Sequence, residues 1–86
     1  MNIYNQQIDM KFQENIENII VTIMKHRKKS NLTQEQVSEK SGISRTTISR
    51  IESFSIQPDV KTLMQICDVF DLELEIVIKP RQSENQ

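Results

Sequence analysis

The chain has 86 residues, of which 36% are hydrophobic and 5% aromatic, with a formal net charge of −1 and a single cysteine. A chain of this length forms one small domain, whose core must consist mainly of aliphatic residues and methionine. No apolar run approaches the roughly 18 residues of a membrane span, and no secretory signal is recognisable. We therefore expect a cytoplasmic protein without membrane contact, in which the lone Cys67 is a buried structural thiol.

The first element in chain order is an amphipathic helix that follows an N-terminal arm. Residues 1–11 show no sustained hydrophobic period, so we expect a flexible or short extended arm there. From Phe12 to Met24 apolar residues recur at helical spacing, which predicts a helix with one buried stripe. The basic cluster at residues 25–29 is favourable at the C-terminus of this helix.

Two short helices joined by a glycine turn follow. Thr33 and Gln36 have the spacing of a capping box, so Thr33 is predicted to be the N-cap of the second helix. Gly42 is the only glycine of the chain, and it is predicted to end this helix with a positive φ. Ser44 is predicted to cap a third helix. Two short helices connected in this way, here over residues 33–53, are typical of a helix-turn-helix motif.

A fourth helix and a lone β-strand complete the predicted elements. Pro58 and Asp59 open the helix, whose buried face is predicted to contain Leu63, Ile66, Cys67 and Phe70. The pattern then becomes alternating, which predicts a strand over residues 72–80 with one apolar face. That face consists of Leu72, Leu74, Ile76 and Ile78. The polar tail at residues 81–86 is expected to be disordered.

The predicted strand needs a hydrogen-bonding partner, because an isolated strand is not stable in water. Within the chain only the N-terminal arm is available. The other candidate is the same strand of a second copy, paired antiparallel across a two-fold axis. We favour this homodimer over an intrachain hairpin.

Positive charge is confined to one third of the chain, although the chain as a whole is slightly acidic. Residues 25–50 carry a net charge of +5, the preceding residues −2 and the following residues −4. The same segment contains the outward face of the third helix, with Arg45, Thr46, Ser49 and Arg50. Arginine can bond both acceptors of a guanine, and threonine can contact a thymine methyl. This face therefore predicts binding to double-stranded DNA, the alternative being an ordinary polar helix face.

From Leu32 to Phe70 the sequence resembles the phage-repressor-like helix-turn-helix family, also called the Cro/CI or XRE family. The resemblance covers about residues 14–71, and we take residues 12–71 as the DNA-binding domain. The residues that carry it are Leu32-Thr33-Gln34 at the start of helix 2, Gly42 in the turn, Ile48 and Ile51 inside helix 3, and Glu52 at its end. The resemblance implies an all-α fold of four or five helices, with helix 3 in the DNA major groove.

The resemblance also implies roles for individual residues. Gln34 would contact a phosphate, and Arg45, Thr46 and Arg50 would read bases. The complete set of predicted DNA contacts is Thr33, Gln34, Ser44, Arg45, Thr46, Thr47, Ser49, Arg50 and Ser53. Arg27 and Glu52 would form a structural ion pair.

These features predict a homodimeric transcriptional repressor that reads an inverted repeat. The C-terminal DLELEIVIKP is similar to that of HipB-like antitoxins, which implies a toxin protein as a second possible partner. The remaining alternative is a protein-interaction module without DNA binding. No nucleophile with a positioned base, glycine-rich phosphate loop or metal-ligand cluster is recognisable, so we expect neither an enzyme nor a cofactor or metal.

Overall fold

The computed structural model describes the backbone of residues 3–81 and the side chains of residues 15–81. Within these ranges the chain forms four α-helices and no strand, which confirms the predicted helical domain. The second helix packs against the third and fourth, and the first packs against the third. The helices are α1 (Ile3–Lys29), α2 (Gln34–Ser41), α3 (Arg45–Glu52) and α4 (Val60–Val69).

The first helix begins nine residues before the predicted start at Phe12, since α1 runs from Ile3 to Lys29. The arm predicted over residues 1–11 is therefore helical from Ile3, and residues 1–2 lie outside the described part. No glycine or proline interrupts residues 3–29, so nothing in the backbone stops the helix from continuing. Hydrophobic periodicity predicts only those helical segments whose apolar residues recur along one face. Residues 3–11 lack such a period, so this criterion did not predict their helix.

Local hydrogen bonds define the two ends of α2 as predicted. The Thr33 hydroxyl accepts the N–H of Gln36 at 3.1 Å, and the Gln36 side chain accepts the N–H of Thr33 at 2.8 Å. Gly42 ends the helix with φ 79°, and its N–H donates to the carbonyl of Ser38 at 3.0 Å. The turn therefore needs a residue that adopts the left-handed region at little cost, which glycine does.

The core lies where the four helices meet and is aliphatic. It contains Ile20, Ile23, Val37, Ile48, Ile51, Leu63, Ile66 and Cys67, all buried. Burial raises the pKa of the Cys67 thiol, and the nearby Asp68 carboxylate adds to this effect. The cysteine therefore behaves as a small apolar core residue, as predicted. Phe70, predicted to belong to the buried face of α4, is half-buried at its C-cap.

The C-terminal segment, residues 72–81, forms neither a helix nor a strand in the single chain. Leu72 and Leu74 pack against the core, whereas Ile76 and Ile78 are 57% and 94% exposed. A strand requires a partner for its backbone, and the described N-terminal residues are helical. The predicted dimerisation strand over residues 72–80 thus has no partner inside the described chain. The predicted disorder of residues 81–86 falls almost wholly outside the described residues, which end at Arg81.

Candidate nucleic-acid interface

The helix α3 has one buried face and one exposed polar face. Ile48 and Ile51 are 2% and 1% exposed and anchor the helix in the core. The opposite face presents Arg45, Thr46, Ser49 and Arg50, all of them exposed. None of these four side chains forms a hydrogen bond or ion pair with another described residue, so their donors are available to a ligand.

The four exposed side chains lie in two rows along α3. Arg45 and Ser49 are four residues apart, as are Thr46 and Arg50, and side chains at this spacing are neighbours on a helix surface. The two rows thus form one continuous patch about 8 Å long along the helix axis. No acidic residue stands between Arg45 and Arg50. Both rows can therefore approach a polyanion without like-charge repulsion.

The three predicted contact residues at the ends of α3 use their side chains in hydrogen bonds within the protein. The Ser44 hydroxyl accepts the N–H of Thr47 at 3.1 Å and donates to the Thr47 hydroxyl at 2.8 Å. The Ser53 hydroxyl donates to the Arg50 carbonyl at 3.1 Å and lies 2.7 Å from the Ser55 hydroxyl. These hydroxyls stabilise the ends of α3 and thereby position the exposed patch. Because they are engaged in these bonds, they are less available to DNA than the side chains of the patch itself.

The start of α2 borders the same surface. A recess between the helices is lined by Arg27, Thr33, Gln34, Glu35 and Arg45. The N-terminus of α2 contributes partial positive charge and free N–H groups, which favour an anion. The Gln34 amide, however, donates to Glu52 Oε1 at 3.2 Å. This bond leaves its second amide hydrogen and its carbonyl oxygen for other contacts.

The predicted ion pair between Arg27 and Glu52 is present and joins α1 to the end of α3. Arg27 Nε lies 2.7 Å from Glu52 Oε2, and Nη2 lies 2.8 Å from Oε1. Nη1 also donates to the carbonyl of Leu32 at 2.9 Å, in the turn before α2. The hydrogen bonds that Arg27 donates to the Glu52 carboxylate raise the pKa of Arg27, while the burial of Arg27 opposes this rise. This bidentate, charge-assisted contact therefore fixes the end of α3 relative to the start of α2.

Sequence reasoning did not anticipate two members of this network, the amide of Gln34 and the carbonyl of Leu32. Gln34 bonds to Glu52, 18 positions away, which only the tertiary fold brings near, whereas the Leu32 carbonyl lies five positions from Arg27 and reaches it through the local turn after α1. Elsewhere, the described residues contain no group of three or more His, Cys, Asp or Glu side chains that could hold a metal ion. No helix of the described chain is both long and apolar enough to cross a membrane.

Comparison with known proteins agrees with this geometry. A family model described as Helix-turn-helix matches residues 23–77, well over half of the chain. The chain belongs to the phage-repressor-like, Cro/CI or XRE, helix-turn-helix family. The matched region includes the last seven residues of α1, both helices of the motif, α4 and part of the C-terminal segment.

One similar curated protein is named as an uncharacterized HTH-type transcriptional regulator, YqaE, of Bacillus subtilis (strain 168). It is 36% identical over 62 residues, which make up 72% of this chain and 53% of that relative. The chain therefore spans about half the length of this relative. No solved structure matches the chain. Membership of this family supports a DNA-binding regulatory role and points away from enzymatic activity.

Proposed function

We propose that the protein is a sequence-specific DNA-binding transcriptional regulator that reads base edges with α3 in the major groove. The observation that carries this proposal is the exposed patch of Arg45, Thr46, Ser49 and Arg50, whose side chains have no partner among the described residues. Arg45 and Arg50 supply forked donors for guanine, and Thr46 supplies a hydroxyl and a methyl group. Major-groove width accommodates one helix, so a patch along a single helix face suffices.

The start of α2 has a different role in this proposal, which is to hold the DNA backbone. The recess beside Thr33 and Gln34 has a helix N-terminus and the unpaired Arg45 guanidinium at its edge. A phosphate there would fix the register of α3 without reading sequence. Ser44 and Ser53 act nearby as the two caps of α3, and Thr47 bonds to Ser44 in its first turn, so their backbone N–H or hydroxyl groups lie at the edge of the interface.

We further propose that the protein acts as a homodimeric repressor on an inverted repeat. Two copies related by a two-fold axis present two α3 helices, which reach successive major grooves when they lie about 34 Å apart. The exposed Ile76 and Ile78 of the C-terminal segment support association of two copies, because large apolar side chains this exposed are unfavourable in a monomer. The net charge of −1 makes non-specific attraction weak, so specificity rests on few base contacts.

Fluorescence anisotropy with the DNA upstream of the protein's own coding sequence tests this proposal. The protein is titrated at two salt concentrations, with scrambled DNA of equal length as competitor. We expect binding that resists the competitor and weakens as salt rises, since phosphate contacts release counterions. Equal binding to the upstream and the scrambled DNA would contradict sequence-specific reading of the upstream DNA. A selection from genomic DNA fragments would then show whether the protein prefers any other site. No preference there would favour a protein-interaction module without DNA binding.

A second candidate function is that of an antitoxin, whose dimer binds a toxin protein as well as DNA. Exposed apolar side chains outside the C-terminal segment favour a protein partner, among them Phe54, Ile56, Val60 and Met64. Val60 and Met64 are four residues apart on α4 and lie on one side of it. Co-expression with the neighbouring gene product and co-purification of a stoichiometric complex would support this candidate. Failure to co-purify would leave the transcriptional repressor as the remaining candidate function.

A further inference from the structure

Phe54 adopts a backbone conformation that its residue type disfavours. Four described residues have positive φ, and each follows the end of one helix: Asn31, Gly42, Phe54 and Asp71. Glycine, asparagine and aspartate tolerate the left-handed region, whereas a bulky aromatic residue there is strained. Phe54, with φ 60°, is therefore the exception in this set. Strain at a position where glycine would be relaxed points to a use for the side chain.

Burial explains only part of this use. Phe54 lines a recess between α1 and the turn after α3, together with Ile16, Ile20 and Ile56. It nevertheless remains 44% exposed, whereas Ile20 is 1% exposed. The domain thus supports part of the Phe54 side chain, and the remaining surface is open to a ligand.

The hydrogen bonds of the turn leave no donor available at residues 53–55. All three backbone N–H groups donate to carbonyl oxygens of α3, at 2.9–3.0 Å. The Ser53 hydroxyl gives its single hydrogen to the Arg50 carbonyl, so the Ser55 hydroxyl is the donor in the 2.7 Å bond between the two serines. No residue from 53 to 55 is charged. A phosphate would find neither a donor nor a cation here, so the ring of Phe54 is the group that this turn presents.

The position of the turn relative to DNA follows from the proposed docking of α3. A recognition helix contacts base edges mainly with the residues of its N-terminal part. The chain just past its C-terminus therefore lies towards the sugar–phosphate backbone at the side of the groove. The N–H of Ser55 bonds to the carbonyl of Arg50, whose side chain belongs to the exposed patch. The turn that carries Phe54 thus adjoins the patch.

We propose that Phe54 packs its exposed ring against a deoxyribose of the DNA backbone and so holds the C-terminal end of α3 in the groove. This inference rests on the proposed function and adds a contact to it. The C–H groups of a deoxyribose are the apolar part of the backbone, and they are the same at every base. The contact therefore adds affinity without sequence preference. It also releases no counterion, so it leaves the salt dependence of binding unchanged.

Two substitutions remove the ring without straining the turn. Phe54→Gly and Phe54→Asn introduce residue types that already adopt positive φ at Gly42 and Asn31. Phe54→Leu keeps an apolar side chain at the position. The matched control is Met64→Ala, which removes a 41% exposed apolar side chain from α4. Circular dichroism establishes that each variant is folded at the temperature of the assay.

Fluorescence anisotropy measures the contribution of the ring. The preferred duplex and a scrambled duplex are each titrated at several salt concentrations. Covering about 50 Å² of the ring corresponds to about a tenfold change in the dissociation constant. We therefore expect Phe54→Gly and Phe54→Asn to bind both duplexes about tenfold more weakly at every salt concentration, with an unchanged slope of log affinity against log salt. Phe54→Leu should recover most of this loss, and Met64→Ala should bind as wild type does.

Four results would overturn the contact with the sugar. Unchanged affinity of both ring-free variants would leave Phe54 to a protein partner. A loss of discrimination at one base pair would mean that Phe54 reads a base, and a shallower salt slope would mean that the turn contacts a phosphate. A loss on the preferred duplex that spares the scrambled duplex would mean that Phe54 only supports the position of α3.

A tryptophan probe tests the contact directly. The chain contains no tryptophan, so Phe54→Trp introduces a single indole at the end of α3. We expect bound DNA to protect this indole from quenching by acrylamide, because the sugar covers its exposed surface. In Met64→Trp the indole lies on α4, and its quenching should be the same with and without DNA. Equal quenching of Phe54→Trp in the free and the bound state would contradict the proposal.

These measurements separate the contact at Phe54 from the proposed function. A wild-type protein that binds no duplex would contradict the proposed function itself. Sequence-specific binding that both ring-free variants retain in full would contradict only the contact at Phe54. Equal wild-type affinity for all duplexes, weakened about tenfold in the ring-free variants, would contradict base reading by α3 and support the contact with the sugar.

Discussion

Replacing Glu52 by alanine tests whether the buried ion pair holds the DNA-reading helix in place. The Glu52 side chain is 6% exposed and accepts from Arg27 at 2.7 and 2.8 Å and from Gln34 at 3.2 Å. Its removal leaves the Arg27 guanidinium, whose side chain is 15% exposed, with only the Leu32 carbonyl as a partner. A buried charge without its counter-charge is costly, so we expect a large loss of stability.

The size of this loss follows from the burial of the two partners. Removing one member of a buried pair costs about 3–5 kcal/mol, and the residual exposure of Arg27 places Glu52→Ala near about 3 kcal/mol. A domain of this size has a free energy of unfolding of about 4–13 kcal/mol in total. The variant should therefore lose at least about a fifth of its free energy of unfolding and unfold at a lower urea concentration.

Urea denaturation followed by circular dichroism measures this loss. The control Glu39→Ala removes an exposed glutamate from α2 and should change stability by less than about 0.5 kcal/mol. The paired replacement Arg27→Met with Glu52→Leu should lie within about 1 kcal/mol of wild type, because no unpaired charge remains. A cost below about 1 kcal/mol for Glu52→Ala would refute the reasoning that the pair is buried and coupled.

Three further changes test the turn, the cap and the interface. Gly42→Ala should cost about 1–2 kcal/mol in urea unfolding, because φ is 79° although nothing lies within 4 Å of an added Cβ. A hydrogen bond to Thr62 lowers the pKa of the Asp59 carboxyl from its ordinary 3.8. The stability that this hydrogen bond contributes should be fully present above pH 3.8 and should be lost as the pH falls through the lowered pKa of Asp59. Urea midpoints of the Asp59→Asn variant, measured over the same pH range, should lack the fall in stability that protonation of Asp59 causes in the wild type. Ile76→Asp should give monomers in light scattering and weaker DNA binding, and a dimer of undiminished mass would place the interface elsewhere.

The parts of the fold that depend on local chemistry were predictable from the sequence. The Thr33 capping box and the positive φ of Gly42 each involve residues within a few positions of one another. These residue types favour few other local structures. The Thr33 and Gln36 side chains satisfy backbone N–H groups at the start of α2, and glycine adopts the left-handed conformation at its end at little cost. The ion pair between Arg27 and Glu52 spans 25 residues, and only the family resemblance indicated it.

The parts that depend on tertiary or quaternary context were not predictable. Phe54 has φ 60°, a left-handed conformation that its residue type does not suggest, and it is held where the chain leaves α3. The bond between Gln34 and Glu52 joins positions 18 apart and changes the role that sequence assigned to Gln34. The alternating segment from Leu72 to Ile78 indicates a strand correctly only if a second copy supplies the partner, since a single chain offers none.

The measurement that most directly tests the central claim is the base preference of wild type and Arg50→Ala on the preferred site. Every single-base variant of the site is titrated by anisotropy with both proteins and with Lys28→Ala, which removes an exposed positive charge from α1 instead of α3. We predict that Arg50→Ala loses about 1–3 kcal/mol on the preferred site and no longer discriminates at one position. Lys28→Ala should retain the full base preference. An equal loss for Arg50→Ala on all sequences, with every preference retained, would contradict the claim that this face of α3 reads bases through Arg50.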